Sequence, residues 1–303
     1  MTNDITITRL IDAPRERVFD AWTNPDALVQ WWGPQGFITT TERIDVRPGG
    51  AWQYNMRGPD GTEYPNYIIF DEIVRPERIT YSHGETEGRP DDFHTTVTFA
   101  DEDDQTRITL RSLFQSAAMR EKALQFGALQ GGHQTLDKLS EFAAEDGKTM
   151  VTTRIFDAPP ARVWQALTEP EQIMKWWGPE HFTSPVARVD FREGGQYLFA
   201  MRDPDGKDYW STGTYREIEP MTRIVYTDSF ADAGGNVVSP VEYGLSAGFP
   251  QELVVTIVLE DLGGRTRFTS TTIGMPRDEM FEMARSGWTT SLDKLGQVLA
   301  SGA

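Results

Sequence analysis

The sequence predicts two tandem α+β domains, each with an antiparallel sheet, two short helices after its first strand and one long helix at its end. Three observations support this: an internal repeat of domain length, short runs of alternating residues within each copy, and a proline-free run before the end of the first copy. A chain of 303 residues is long enough for two domains that each bury a core of their own.

The repeat is seen in two segments that begin at Arg9 and Arg154. RLIDAPRERVFDAWTNPDALVQWWGPQGF reappears as RIFDAPPARVWQALTEPEQIMKWWGPEHF, and the offset of 145 residues holds as far as Tyr81 and Tyr226. A period of this length is that of a domain and not that of a solenoid repeat. The two halves are therefore expected to share one fold.

Beyond these tyrosines the second copy is longer, with about fifteen extra residues near 230–250. The small, polar and glycine-containing segment 143–149 suits a short linker. We therefore expect one domain at residues 1–145 and a second at residues 149–303, with an inserted loop near 230–250.

The secondary structure of one copy follows from its pattern. The segment from Ile5 to Ile11 alternates apolar and polar residues, as half-buried strands do. Pro14 opens a short helix, and Asn24 followed by proline opens another. Strand-like runs with glycine-rich turns follow, and the proline-free residues 116–142 predict a long closing helix. A sheet that curves around one long helix can leave a hollow between them.

Composition and charge exclude several classes of function. The formal net charge is −17 and both halves are acidic, which makes nucleic acid and anionic membrane surfaces unsuitable partners. The sequence has no cysteine, so disulfides, thiolate catalysis and cysteine-ligated metals are excluded. No leader pattern or membrane-spanning apolar run is seen, so we expect a cytoplasmic protein without membrane insertion.

The third strand of each copy turns large apolar side chains to one face. They are Trp52, Tyr54 and Met56 in the first copy and Tyr197, Phe199 and Met201 in the second. Such a face fits either a packed core or a cavity wall. Tryptophan and tyrosine have polar ends that need partners and methionine is deformable, which favours the cavity.

A pair of adjacent tryptophans ends the second short helix of each copy, at Trp31-Trp32 and Trp176-Trp177. Adjacent residues on a helix point about 100° apart, so the two rings cannot face one core equally well. We expect one ring to pack inward and the other to cap a cavity mouth or an interface, with structural support as the alternative use of both.

These motifs, together with RPGG and REGG, PDG and the closing LDKL, resemble the activator-of-Hsp90-ATPase homologue 1-like (AHSA1-like) branch of the START/SRPBCC (Bet v 1-like) superfamily. They occur twice and span almost the whole chain. The resemblance implies a helix-grip fold, in which a curved antiparallel sheet wraps a long helix around an apolar cavity. Members of the superfamily bind lipids, polyketides, aromatics and hormones, and some catalyse cyclisation or hydration in the cavity.

The family name also implies an Hsp90-type chaperone as a partner, although much of the namesake's action on that ATPase involves an additional N-terminal domain outside the two copies. The family's Gly-Trp pair in the long helix is kept as Gly287-Trp288, whereas the first copy has Gly131-Gly132. The missing indole predicts free space beside Gly132, open to a ligand or to neighbours such as Phe126. We therefore expect the first domain to be the better binder of a flat apolar ligand.

Catalytic motifs are weak in this sequence. GLSAG at residues 244–248 matches a nucleophile-elbow pattern, but no histidine follows it and no helix pattern continues it. His83 and His94, with Asp91 and Asp92 between them, are interpreted as a polar hairpin end, and a weak metal or acid–base cluster is the less favoured alternative. We predict no catalytic residue, no metal and no cofactor.

The preferred function is therefore non-catalytic binding of a small hydrophobic or aromatic molecule in an internal cavity. A cyclase- or hydratase-type enzyme and a protein-interaction module are the alternatives. The insertion near 230–250 is expected to form a mobile lid over the second cavity. The residues expected to line the cavities are Trp32, Trp52, Tyr54, Met56, Tyr67, Tyr81, His83, His94, Phe126, Gly132, Trp177, Tyr197, Phe199, Met201, Tyr226 and Trp288.

A stop after residue 145 should leave a soluble first domain with native-like circular dichroism, because each copy carries a complete set of core elements. Size-exclusion chromatography and circular dichroism of the fragment check this expectation. An unfolded fragment would mean that the two copies share one core.

Overall fold

The computed structural model describes residues 2–85, 92–144, 148–276 and 279–301. The chain divides into two compact units, Met1–Gly147 and Lys148–Ala303. The domain limits expected from the sequence fall beside residues 145–147, which lie outside the described residues, and they stay a prediction.

In its described residues the first unit has one antiparallel sheet and four helices. The strand order across the sheet is β1-β7-β6-β5-β4-β3-β2, so β1 joins the far end of a meander. The strands are β1 (Asp4–Ile11), β2 (Ile38–Ile44), β3 (Ala51–Arg57), β4 (Glu63–Val74), β5 (Arg78–Gly84), β6 (Phe93–Glu102) and β7 (Gln105–Phe114), and the helices are α1 (Arg15–Thr23), α2 (Pro25–Trp31), α3 (Ala117–Gln125) and α4 (Ala128–Ala143).

The second unit repeats this arrangement, with the strand order β8-β14-β13-β12-β11-β10-β9. A short 3-10 helix at Pro240–Tyr243 lies within its insertion. Its strands are β8 (Thr149–Phe156), β9 (Thr183–Val189), β10 (Gln196–Arg202), β11 (Asp208–Glu219), β12 (Arg223–Ala231), β13 (Leu253–Asp261) and β14 (Thr266–Ile273), and its helices are α5 (Pro160–Thr168), α6 (Pro170–Trp176) and α7 (Glu279–Ala300). The predicted fold class, two tandem α+β domains of one layout, is confirmed.

The first tryptophan of each adjacent pair joins the two short helices. The indole Nε1 of Trp31 donates to the Ala21 carbonyl at 2.9 Å, and the Nε1 of Trp176 donates to the Ala166 carbonyl at 2.8 Å. Both rings are fully buried. Trp32, the second member of its pair, is partly buried and packs against the core of the sheet. The first ring of the pair thus connects the two short helices, and the second packs against the inner face of the sheet.

The closing helix of the first unit is not continuous, which corrects the expectation of one helix over 116–142. Gly127 adopts a left-handed φ of 83° between α3 and α4, a conformation that glycine reaches without steric cost. The aligned position of the second unit is Met283, which lies inside the continuous α7. The break leaves Phe126 79% exposed, so the prediction that Phe126 lines a cavity was wrong.

The prediction of free space beside Gly132 was also wrong, because the side chain of Ile7 occupies it. A Cβ added to Gly132 would collide with Cδ1 of Ile7, which is buried on β1 and fills that volume. At the aligned positions the second unit has Thr152 on the strand and Trp288 on the helix. The large side chain comes from the strand in one unit and from the helix in the other.

This exchange predicts compensation between two substitutions. Gly132→Trp alone should lower the free energy of unfolding of the first domain by about 1–3 kcal/mol or more, because the new indole overpacks Ile7. Adding Ile7→Thr should recover most of that loss, although Ile7→Thr alone also destabilises by removing buried methyl groups. Urea unfolding of the two single variants and the double variant measures the coupling. Purely additive losses would show that the two side chains do not share one space.

Candidate functional site

The second domain contains an aromatic cavity between its helices and the inner face of its sheet. Its floor comes from β10 to β13, and its roof comes from α5, α6 and α7. The lining residues are Leu167, Ile173, Trp176, Trp177, Tyr197, Phe199, Tyr215, Ile224, Tyr226, Ile257 and Trp288.

The cavity is small. It holds about 390 Å³ of empty space, its open mouth included, and the centre of a water-sized sphere can reach about 30 Å³ of it. Since one water needs about 10–15 Å³ by the second measure, the inner space holds about two waters. A ligand of this cavity is therefore a small one, or one that displaces the side chains around it.

Edge-to-face and tilted contacts between rings stabilise the wall. Trp177 lies with its ring centroid 5.0 Å from that of Phe199 and 5.6 Å from that of Trp288. Tyr197 lies 4.5 Å from Phe199 and 5.6 Å from Tyr226, again between ring centroids. Such pairs add stability beyond their buried area, so the wall is built of side chains that fix one another.

Tyr197 reaches its position because Gly213 leaves room for it. A Cβ on Gly213 would lie 2.8 Å from Cε1 of Tyr197 and would also collide with the carbonyl oxygen of Thr227. The aligned residue of the first domain is Ile68, which is buried there. The phenol thus extends across the glycine towards the neighbouring strand.

The phenol of Tyr197 ends beside a carboxylate. Its hydroxyl donates to Oδ1 of Asp228 at 2.6 Å and lies 3.2 Å from the Thr227 carbonyl oxygen. Asp228 stands two residues beyond Tyr226 on β12, so both side chains share the inner face of the sheet. Asp228 is not itself a lining residue, so one acidic group lies behind the cavity wall and is joined to it by the Tyr197 hydroxyl.

Asp228 is electrostatically uncompensated. It is partly buried, and it forms no ion pair with a lysine or arginine among the described residues. Burial raises the pKa of its carboxyl to about 6, and the hydrogen bond from Tyr197 opposes that rise only in part. Burial and then the charge of Asp228 raise the pKa of the Tyr197 hydroxyl well above its usual value, so the phenol stays a donor.

Two indole N–H groups in the wall have no acceptor. The Nε1 atoms of Trp177 and Trp288 are shielded from solvent and have no hydrogen-bond partner among the described residues. In the first domain the corresponding Nε1 of Trp32 donates to the Tyr54 hydroxyl at 3.0 Å. In the second domain Phe199 takes the position of Tyr54. Because phenylalanine has no hydroxyl to accept the hydrogen bond, the Nε1 of Trp177 is left without a partner there.

The inner face of the first domain carries part of the predicted set. Trp52, Tyr54 and Tyr81 are buried there. Met56 and Met201 are partly buried in their own domains, each near the glycine that follows the tryptophan pair. These residues lie on the inner face, and a role for them in ligand binding stays a prediction.

His83 is the first-domain counterpart of Asp228. Its Nε2 lies 2.9 Å from Oδ1 of Asn66, and its ring stacks on Phe93 with centroids 4.4 Å apart. Burial lowers the pKa of His83 to about 4, so the imidazole is neutral near pH 7. The same strand position therefore holds a neutral ring in one domain and a carboxyl in the other.

Two predicted cavity residues of the first domain lie on the outer face of its sheet. Tyr67 is paired across the strands with Gln53 and Gly84, and its hydroxyl accepts from Nη2 of Arg43 at 3.4 Å. His94 is paired with Ser82, next to the pair formed by His83 and Phe93. Side chains alternate along a strand, so a shift of one residue moves them to the opposite face.

The less favoured alternative, a cluster of His83 and His94, is therefore ruled out by the strand register. His94 lies outside the core with its Nδ1 3.4 Å from Oδ2 of Asp71, whereas His83 points inward. Asp91 lies outside the described residues. No group of three or more potential metal ligands is found in the part of the chain that the structure describes.

The insertion near 230–250 packs beside the cavity and is not part of its lining. Phe249 is buried against Met150, Leu253, Met275 and Phe281, and the Tyr243 hydroxyl donates to the Ala231 carbonyl at 2.7 Å. The expected lid over the mouth of the second cavity is not seen among the lining residues, because the apolar residues of the insertion pack in a separate cluster with residues of β8, β13 and α7.

The sequence reading missed Asp228, Gly213 and Tyr215. The repeat itself contains the signal, because the offset of 145 residues aligns Asp228 with His83 and Gly213 with Ile68. A change from a neutral ring to a carboxyl at an inward-facing position was visible in that alignment. The strand register then shows that Tyr197 crosses Gly213 to reach it.

Comparison with known proteins identifies the family. The profile of the activator of Hsp90 ATPase homolog 1-like protein family matches residues 12–144 and 157–300. The chain therefore belongs to this family, with one member domain in each half, and the resemblance noted in the sequence is confirmed.

Solved structures of single-domain size are similar to this chain. A protein from Chromobacterium violaceum is 31% identical with a TM-score of 0.43, and the match covers 50% of this chain and 96% of that one. A protein from Nitrosomonas europaea is 24% identical with a TM-score of 0.44, covering 53% and 99%. The AHSA1 protein from Silicibacter pomeroyi is 22% identical with a TM-score of 0.42, covering 51% and 99%. Among proteins of curated function, none matches this chain.

Within the described residues, no helix combines the length and the apolar character that crossing a bilayer requires.

The raised pKa of Asp228 predicts a pH-dependent cost to stability. A carboxyl that holds its proton more tightly when folded loses stability as pH rises from about 3.8 through about 6. Asp228→Asn should therefore be more stable than the parent at pH 7.5, by up to about 3 kcal/mol, with the gap closing near pH 4. Urea unfolding at a series of pH values measures it.

The exposed Asp205→Asn is the matched control, because it makes the same charge change at a turn of the same domain. It should follow the parent at every pH. If the free energies of unfolding of the parent and of Asp228→Asn differed by the same amount at every pH, that result would contradict a raised pKa at Asp228.

Proposed function

We propose that the second domain binds a small apolar or aromatic molecule in its internal cavity, without transforming it. The observation that supports this is a cavity walled by seven aromatic side chains between helix and sheet. Binding sites for small molecules are concave, largely apolar and aromatic, with a few polar groups that fix orientation. The family to which the chain belongs commonly binds hydrophobic ligands.

The polar groups of the cavity support binding more than they support chemistry. Tyr197 and Asp228 form one hydrogen-bonded pair, and the raised pKa of the phenol keeps its proton in place near neutral pH. The two unpaired indole donors, on Trp177 and Trp288, offer further sites for an acceptor on the ligand. Together these groups orient a guest between aromatic faces.

Filling the cavity should abolish binding. Toluene is a suitable probe, because it is a small flat apolar ring that can enter between the aromatic side chains when they shift to make room for it. Ligand-observed NMR should detect toluene on the full chain and lose it in Ile257→Phe, whose larger ring enters the cavity from the β13 wall. The first-domain variant Ile38→Phe makes the same change at a residue that is 55% exposed and should leave binding intact.

Circular dichroism of both variants checks that they are folded. Toluene binding that survives in a folded Ile257→Phe would place the binding site elsewhere. Absence of binding by the parent chain would contradict the proposed function.

A further inference from the structure

We propose that the second-domain cavity selects a small organic cation of the alkylated ammonium type, with Asp228 as its counter-charge. The proposal deepens the proposed function and rests on it, because it assigns a chemical class to the guest of the same cavity. Three observations lead to it: an uncompensated carboxylate, a wall of aromatic faces beside it, and the contrast with the first domain.

The carboxylate is the first observation. Other acidic residues of the second domain have cationic partners, such as Asp208 with Arg202 at 2.6 Å and Glu252 with Arg216 at 2.8 Å. Asp228 is withdrawn further from water than an ordinary surface carboxylate, and among the described residues the Tyr197 hydroxyl is the one group that donates a hydrogen bond to its side chain. Buried charges in proteins are normally paired, so the missing positive charge is one that a ligand can supply.

The wall is the second observation. A cation is attracted to the negative face of an aromatic ring, and aromatic cages are the usual receptors for quaternary ammonium groups. Tyr197 and Tyr226 belong to the cavity wall and also lie within the field of Asp228. The ring faces therefore contact the guest directly and replace the water that an alkylated ammonium binds only weakly. The carboxylate lies behind Tyr197 and attracts the same guest through its charge.

The first domain is the third observation. Its inner face has Trp52 in place of Tyr197 and His83 in place of Asp228. His83 is satisfied at Nε2 by Asn66 and carries no negative charge near neutral pH. At this strand position the duplicated chain thus has a carboxylate in the second domain and a neutral ring in the first, which assigns cation selection to the second domain.

The test uses two probes that differ in charge but hardly in shape: choline, and its neutral analogue dimethylbutanol, in which carbon replaces the quaternary nitrogen. Isothermal titration of the full chain near pH 7.5 should show choline binding at least about tenfold more tightly than the alcohol, since a desolvated cation–π contact with a nearby carboxylate favours the charged probe. Ile257→Phe should abolish that binding if choline occupies the cavity.

Asp228→Asn separates charge from shape, because the amide retains an oxygen that can accept from Tyr197. It should weaken choline binding by about tenfold or more and leave the affinity for the alcohol unchanged. Asp205→Asn removes the same charge from an exposed turn and should change neither affinity. Thermal unfolding of each variant checks that it is folded.

Equal affinity for choline and the alcohol, or choline binding that Asp228→Asn does not weaken, would overturn the cationic class. In that outcome, toluene binding that depends on Ile257 would leave the proposed function standing. The unpaired indole donors would then favour a neutral guest with an acceptor group. Failure of all three probes to bind would count against both proposals.

Discussion

The space between the closing helix and the inner face of the sheet constrains everything else in each domain, because protein interiors are close-packed and tolerate few voids. The first domain fills this space from the strands, with Ile7 on β1 beneath Gly132 and Ile68 on β4. The second domain has threonine and glycine at those two strand positions and fills the space from the helix, with Trp288. The cavity is the part of this space that Trp288 and the side chains around it leave unfilled.

The polar character of the second cavity follows from the same exchange. Removing a side chain at Gly213 lets Tyr197 extend to Asp228, whereas replacing Tyr54 by Phe199 leaves the Trp177 indole without its acceptor. Each change costs stability, since an unpaired buried donor and an uncompensated carboxyl are both penalised. A packed core has no use for such groups, and a binding site does, because a ligand can satisfy them.

The sequence predicted the fold well and the site only in part, for a physical reason. Repeat, strand alternation and helix boundaries are local or periodic signals, so they defined two domains with two short helices after β1. Tyr67 and His94 were misplaced because one bulge or one residue of register moves a side chain to the other face. Phe126 and Gly132 were misplaced because the break at Gly127 and the fit of Ile7 depend on contacts distant in sequence.

Duplication explains why one chain can hold both solutions. The two copies form separate compact units with cores of their own, so a loss of packing in one copy need not unfold the other. The same strand position can therefore carry a different side chain in each copy. His83 and Asp228 show the result. They occupy the same strand position and both point inward, but near neutral pH the first is a neutral imidazole and the second is a carboxylate. The second copy retains a carboxyl that weakens it at neutral pH, and such a cost is expected to persist where recognition depends on the group that causes it.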